Sequence, residues 1–64
     1  MQKHALRSWR EDRKLTRSQL AKRLGVTAEA IRRYENGSRR PELVHLRAIA
    51  RITGGAVRPD HFFA

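Results

Sequence analysis

The sequence predicts an all-α protein, a compact bundle of four to five short helices in one domain over residues 1–64. Three observations predict it. β-branched residues never alternate over a run, so strand signals are nearly absent. Apolar residues instead recur at spacings of three and four. Residues that start helices and residues that stop them punctuate these runs in the right order.

The first helix reads from about Lys3 to Lys14, with Leu6 and Trp9 on one apolar face. Thr16 follows as an N-cap, and Gln19 three residues later completes a capping box. The second helix runs over about 17–24, with Leu20, Ala21 and Leu24 facing inward and Gly25 closing it. Thr27 caps a third helix over about 28–35, anchored by Ile31 and Tyr34 and closed by Gly37. Pro41 suits the first turn of a fourth helix carrying Leu43, Leu46, Ile49, Ala50 and Ile52. Gly54 and Gly55 end that helix, and Pro59 and Asp60 start a last turn that docks Phe62. Helices of eight residues are too short to persist alone, so they must bury one another's apolar faces.

Composition narrows the function classes. Sixty-four residues leave a marginal core and little room for a deep substrate pocket. There is no cysteine, which removes disulfides and thiolate metal sites and favours an intracellular protein. No apolar run approaches the roughly 18–20 residues of a membrane span. The opening MQKHALRSWR lacks the apolar region of a signal peptide. Net charge is +9, and twelve of the fifteen cations are arginine, whose flat fork matches phosphate and the guanine edge. Residues 17–40 hold +5 of it, against +3 before and +1 after. A polyanionic partner follows, nucleic acid ahead of an anionic membrane surface.

A helix, a tight turn at Gly25 and a second helix have the spacing of a helix-turn-helix. The stretch LTRSQLAKRLGVTAEAIRRYENGSRRP, Leu15 to Pro41, resembles the Cro and lambda-repressor-like family. The matching residues are Leu15-Thr16, Leu20-Ala21, Gly25-Val26, Ile31, Tyr34-Glu35-Asn36-Gly37 and Pro41. The fourth helix and the ending TGGAVRPDHF are also similar to small phage Cro-type proteins and antitoxin-like regulators. Independently of the family, Ile31 and Tyr34 hold the third helix down. That leaves a polar face of Ala28, Glu29, Arg32, Arg33 and Asn36 suited to the major groove.

The resemblance implies base contacts at Ala28, Glu29 and Arg33, with Arg33 forking onto guanine and Arg32 on phosphate. Glu29 has three open readings: cytosine recognition, the helix dipole, or an ion pair with Arg33. Backbone contacts are expected from Arg17, Ser18, Thr27, Asn36, Ser38, Arg39 and Arg40 as well. Arg17 stands where the family usually has glutamine, and Ala28 where many relatives have one. The family pairs the positions of Arg10 and Glu35 in a largely buried salt bridge. His4, His45 and His61 have no ligand-spaced acids around them, so no metal and no cofactor are expected. No catalytic constellation appears, and an enzyme is not expected.

The reading is therefore a sequence-specific double-stranded DNA-binding transcriptional regulator. It is expected to be a Cro-type repressor of phage or prophage kind that binds a near-palindromic operator as a homodimer. The dimer is expected to be weak or formed on DNA, through Val57, Phe62 and Phe63, with Leu43 or Val44 as further candidates. The alternative is an antitoxin that binds a protein toxin and its own promoter. A third, a charge-driven binder of membranes or RNA, lacks a wide apolar face and paired aromatics. The protein is expected in the bacterial cytoplasm on DNA, with no membrane partner and no small-molecule effector, since nothing remains to form an effector pocket. Met1 and Ala64 read as natural ends, with a trimmed domain of a longer repressor as the alternative.

Overall fold

In the computed structural model, which describes residues 3–63, four α-helices are followed by a 3₁₀ turn. They are α1 (Ala5–Asp12), α2 (Arg17–Leu24), α3 (Ala28–Asn36), α4 (Leu43–Ile52) and the turn Pro59–Phe62. No strand occurs among the described residues.

α1 is shorter at both ends than the sequence implies. It starts late because His4 is its N-cap, its Nδ1 accepting from the Leu6 amide at 3.0 Å. It stops early because Lys14 takes a left-handed conformation, φ 57°. The Leu15 amide then donates to the Arg10 carbonyl at 3.1 Å and the Lys14 amide to Glu11 at 2.9 Å. This is a Schellman ending built on lysine where glycine is usual, so no glycine marked the stop.

α2 and α3 end where glycines supply the left-handed backbone, Gly25 at φ 76° and Gly37 at φ 80°. Both begin on threonine. Thr16 Oγ1 accepts from the Gln19 amide at 3.0 Å, and Gln19 Oε1 accepts from the Thr16 amide at 2.8 Å. Thr27 Oγ1 accepts from the Ala30 amide at 3.0 Å. α3 runs one residue beyond the predicted end, to Asn36. Pro41 does not enter α4: Glu42 is the N-cap, and the buried proline lies ahead of it. A proline there leads the chain in extended, and α4 begins after it.

The core gathers Leu6 of α1, Leu20 and Ala21 of α2, Ile31 and Tyr34 of α3, and Leu46 and Ile49 of α4. Each fully buried aliphatic side chain contributes roughly 1.5–3 kcal/mol. α2 and α3 make the most extensive pairing. Ala21 and Ala30 are both buried, and their short side chains permit that approach. α1 crosses α3, while α4 closes over α2 and receives the 3₁₀ turn.

Burial divides the C-terminal apolar residues. Leu43, read both on the apolar stripe of α4 and as a dimer candidate, is 60% exposed. Val57, expected at a dimer surface, belongs to the monomer core at 1% exposure, as does Phe62 at 9%, which was expected both there and docked by the last turn. Val57 is held by Thr53, itself buried, whose Oγ1 donates to the Ile49 carbonyl at 2.8 Å and accepts from the Val57 amide at 3.1 Å. That clasp folds the Gly54-Gly55 turn back and draws Val57 inside.

Candidate nucleic-acid interface

α3 has one buried face and one open face. Ala30, Ile31 and Tyr34 are 5%, 0% and 1% exposed. On the other side Glu29, Arg32 and Arg33 have side chains about half exposed. Glu29 holds both arginines. Arg32 donates from Nε at 2.8 Å and Nη2 at 2.6 Å, one to each carboxylate oxygen, and Arg33 donates from Nε at 3.0 Å. The hydrogen bonds from Arg32, then those from Arg33, pull the Glu29 carboxyl down to about 2. Of the readings open for Glu29, the ion pair with Arg33 and the place in the first turn of α3, where the helix dipole favours an anion, are both present in the free protein.

The pairing distinguishes the two arginines. Arg32 spends a whole fork edge on Glu29. Arg33 spends only Nε, and its terminal Nη groups remain for an outside acceptor. Ala28 stands half-exposed at the start of the same helix.

The loop after α3 is tied back to it. The Ser38 and Arg39 amides donate to the Arg33 carbonyl at 3.0 and 3.3 Å, and Asn36 Oδ1 accepts from the Ser38 amide at 2.9 Å. Asn36, Ser38, Arg39 and Arg40 are all exposed. The Arg39 guanidinium lies 5.9 Å from the Tyr34 ring centre and that of Arg40 lies 4.9 Å from Phe63, both within cation–π reach. Thr27 is exposed, with its hydroxyl oxygen already used by the α3 cap.

Behind this face lies a buried ion cluster. Arg10 Nε donates to Glu35 Oε2 at 2.7 Å and Nη2 to Oε1 at 3.2 Å, while Nη1 donates to the Leu15 carbonyl at 2.9 Å. The Glu35 side chain is 2% exposed and that of Arg10 10%. Sequence reasoning missed a third member. Arg17, assigned to DNA phosphate, donates Nε to Glu35 Oε1 at 3.1 Å, with its side chain 40% exposed. One carboxylate thus fastens α1, α2 and α3 together. Ser18 stands exposed beside Arg17 at the start of α2. Nothing local in the sequence marks the Arg17 contact, because residues 17 and 35 meet only once the α2–α3 corner forms.

The only large exposed hydrophobics among the described residues are Leu43, Val44 and Phe63, at 60%, 64% and 51%. Leu43 and Val44 flank an open groove between α2 and α4, beside Arg23, Arg47 and Arg51. Sequence reasoning also overlooked a small cavity of about 230 Å³ walled by His4, Tyr34, Gly37, Arg39, Arg40, His61 and Phe62. Its histidines come from opposite ends of the chain, so no local spacing announced it. Among the described residues no group of three acids, histidines or cysteines is arranged to hold a metal. No helix of these residues is long and apolar enough to cross a membrane.

In a comparison with known families, the family model HTH_3, described as helix-turn-helix, matches residues 6–58. That span runs from the buried Leu6 of α1 to the residue after Val57, and so includes both the cluster around Glu35 and the open face of α3. No curated protein and no solved structure matches the chain.

Proposed function

Because the chain belongs to the Cro/C1-type helix-turn-helix family, whose members are DNA-binding regulators, we propose that it is a sequence-specific transcriptional repressor. It binds a near-palindromic operator as a homodimer, in the manner of a phage or prophage Cro protein, on the DNA of a bacterial cytoplasm. The observation that carries the sequence-reading part is the arginine–glutamate–arginine set on the open face of α3. The nine residues of α3 form a helix about 13 Å long, and its diameter of about 10–12 Å matches the major groove, about 12 Å wide.

In this reading Arg33 turns its unspent Nη fork onto guanine O6 and N7. Arg32 stays aligned by Glu29 and faces a phosphate. Ala28 offers a methyl to the floor of the groove. Ser18, Thr27, Asn36, Ser38, Arg39 and Arg40 fix the register on the two strands without reading sequence. Arg17 divides its guanidinium between Glu35 and a phosphate. It thereby couples the strand to the cluster that holds the helices together.

The homodimer surface is revised in the light of burial. With Val57 and Phe62 committed inside, Leu43, Val44 and Phe63 are the apolar side chains left for a second copy. Two copies set the recognition helices about 34 Å apart, one turn of DNA. The Leu43–Val44 groove also supports the alternative, an antitoxin that spends this patch on a toxin.

A selection from random duplexes of roughly 30 base pairs at physiological salt tests the proposal. Enrichment of an inverted repeat with half-sites one turn apart is the expected result. Recovery of no motif, despite binding at low salt, leaves only generic phosphate attraction and rejects the repressor reading.

A further inference from the structure

The cavity between the α3–α4 loop and the C-terminal turn has chemistry that helix-in-groove recognition does not use. Its volume of about 230 Å³ exceeds several waters at roughly 30 Å³ each. No aspartate or glutamate lines it, whereas Arg39 and Arg40 both do. Neither arginine has a carboxylate partner among the described residues. Each instead lies within cation–π reach of an aromatic ring, Tyr34 or Phe63. That contact steadies a guanidinium without consuming its N–H donors.

A further donor lies there. His61 Nδ1 accepts from the Arg58 amide at 2.9 Å, so the ring carries its proton on Nε2 and has a donor to give. Tyr34 lines the same cavity, and its ring lies 5.9 Å from the Arg39 guanidinium.

We propose that this cavity binds the phosphoryl group of inorganic phosphate or of a phosphomonoester. Arg39, Arg40 and His61 donate to its oxygens. Such occupancy competes with the DNA strand for Arg39 and Arg40, so a small phosphorylated molecule releases the protein from DNA. A phosphodiester inside a duplex has two oxygens tied into the chain and meets the same arginines only from outside. The site stands on the geometry of the free protein, and its first test involves no DNA.

The test is a titration of ¹⁵N-labelled protein with inorganic phosphate at constant ionic strength, maintained with sodium chloride. Saturable shifts confined to Gly37, Arg39, Arg40 and His61 are expected. The Arg39→Ala/Arg40→Ala variant weakens phosphate at least tenfold. The charge-matched Arg47→Ala/Arg51→Ala variant, altered on α4, stays within about twofold. A phosphate concentration ten times its Kd then raises the apparent Kd of a duplex about elevenfold, the competitive factor. A duplex Kd unchanged at that concentration overturns the competition. Shifts spread over all cationic segments, or equal losses in the two double variants, overturn the site itself and leave the DNA reading untouched.

Discussion

Replacing Arg10 with methionine tests the buried cluster more sharply than any other change. Glu35 accepts three guanidinium hydrogen bonds, two from Arg10 and one from Arg17. Arg10→Met removes two of them and the bond to the Leu15 carbonyl, and it leaves a carboxylate 2% exposed with one partner at 3.1 Å. Breaking a buried pair on one side costs about 3–5 kcal/mol. The surviving Arg17 contact sets the expectation at the lower end, about 3 kcal/mol. At roughly 4–8 °C per kcal/mol in a domain of this size, Tm falls by roughly 12–24 °C. Differential scanning calorimetry reads the shift directly. A domain this small has little stability to spare, so the variant is paired with Arg10→Met/Glu35→Leu, which removes both charges and recovers most of the loss. A Tm drop of only a few degrees, or a double variant no better than the single, refutes the reasoning. Where the variants fold, their operator preference is that of the parent, since Glu35 faces the core.

Four further outcomes are expected. Arg33→Ala relaxes preference at one base pair per half-site at a cost of about 1–3 kcal/mol, while Arg39→Ala weakens all duplexes alike; fluorescence anisotropy on matched and mismatched duplexes separates them, and identical behaviour removes the readout role from Arg33. Val57→Ala lowers Tm at every protein concentration because it opens the core, whereas Val44→Glu leaves monomer stability intact and weakens self-association measured by sedimentation. Lys14→Gly relieves the left-handed backbone at φ 57° and raises stability by up to about 1 kcal/mol in urea melts; a loss shows that the lysine side chain matters more than the backbone. Burial holds His4 below its usual 6.5. The folded state therefore favours the neutral ring, and stability is full above pH 6.5 and falls as pH drops through the lowered folded value. His4→Asn keeps a capping oxygen for the Leu6 amide and flattens this dependence between pH 7 and 5, as read by thermal melts.

Much of the α2–α3 corner was legible because it depends on neighbours in the chain. Thr16 with Gln19, Thr27, Gly25 and Gly37 act within one helical turn, and a spacing of three or four residues places Glu29, Arg32 and Arg33 together. The Arg10–Glu35 pair came from family likeness, which carries long-range information that local spacing lacks. Where reading failed, the cause was a contact across the fold. Arg17 looks like any exposed cation at a helix start until α3 brings Glu35 within 3.1 Å. Val57 and Phe63 are both apolar tail residues, and only the Thr53 clasp sends one inside and leaves the other 51% exposed.

The sequence by itself therefore determined the helices, the α2–α3 corner and the polar face of α3, all set by capping, glycine backbone freedom and helical period. The tertiary structure alone decided that Arg17 joins the Arg10–Glu35 pair, that Val57 is buried while Leu43, Val44 and Phe63 stay exposed, and that Arg39, Arg40, Tyr34 and His61 share one cavity. The physical reason is that burial and ion pairing are properties of surfaces brought together from distant parts of the chain, and no periodicity within a helix encodes which surfaces meet.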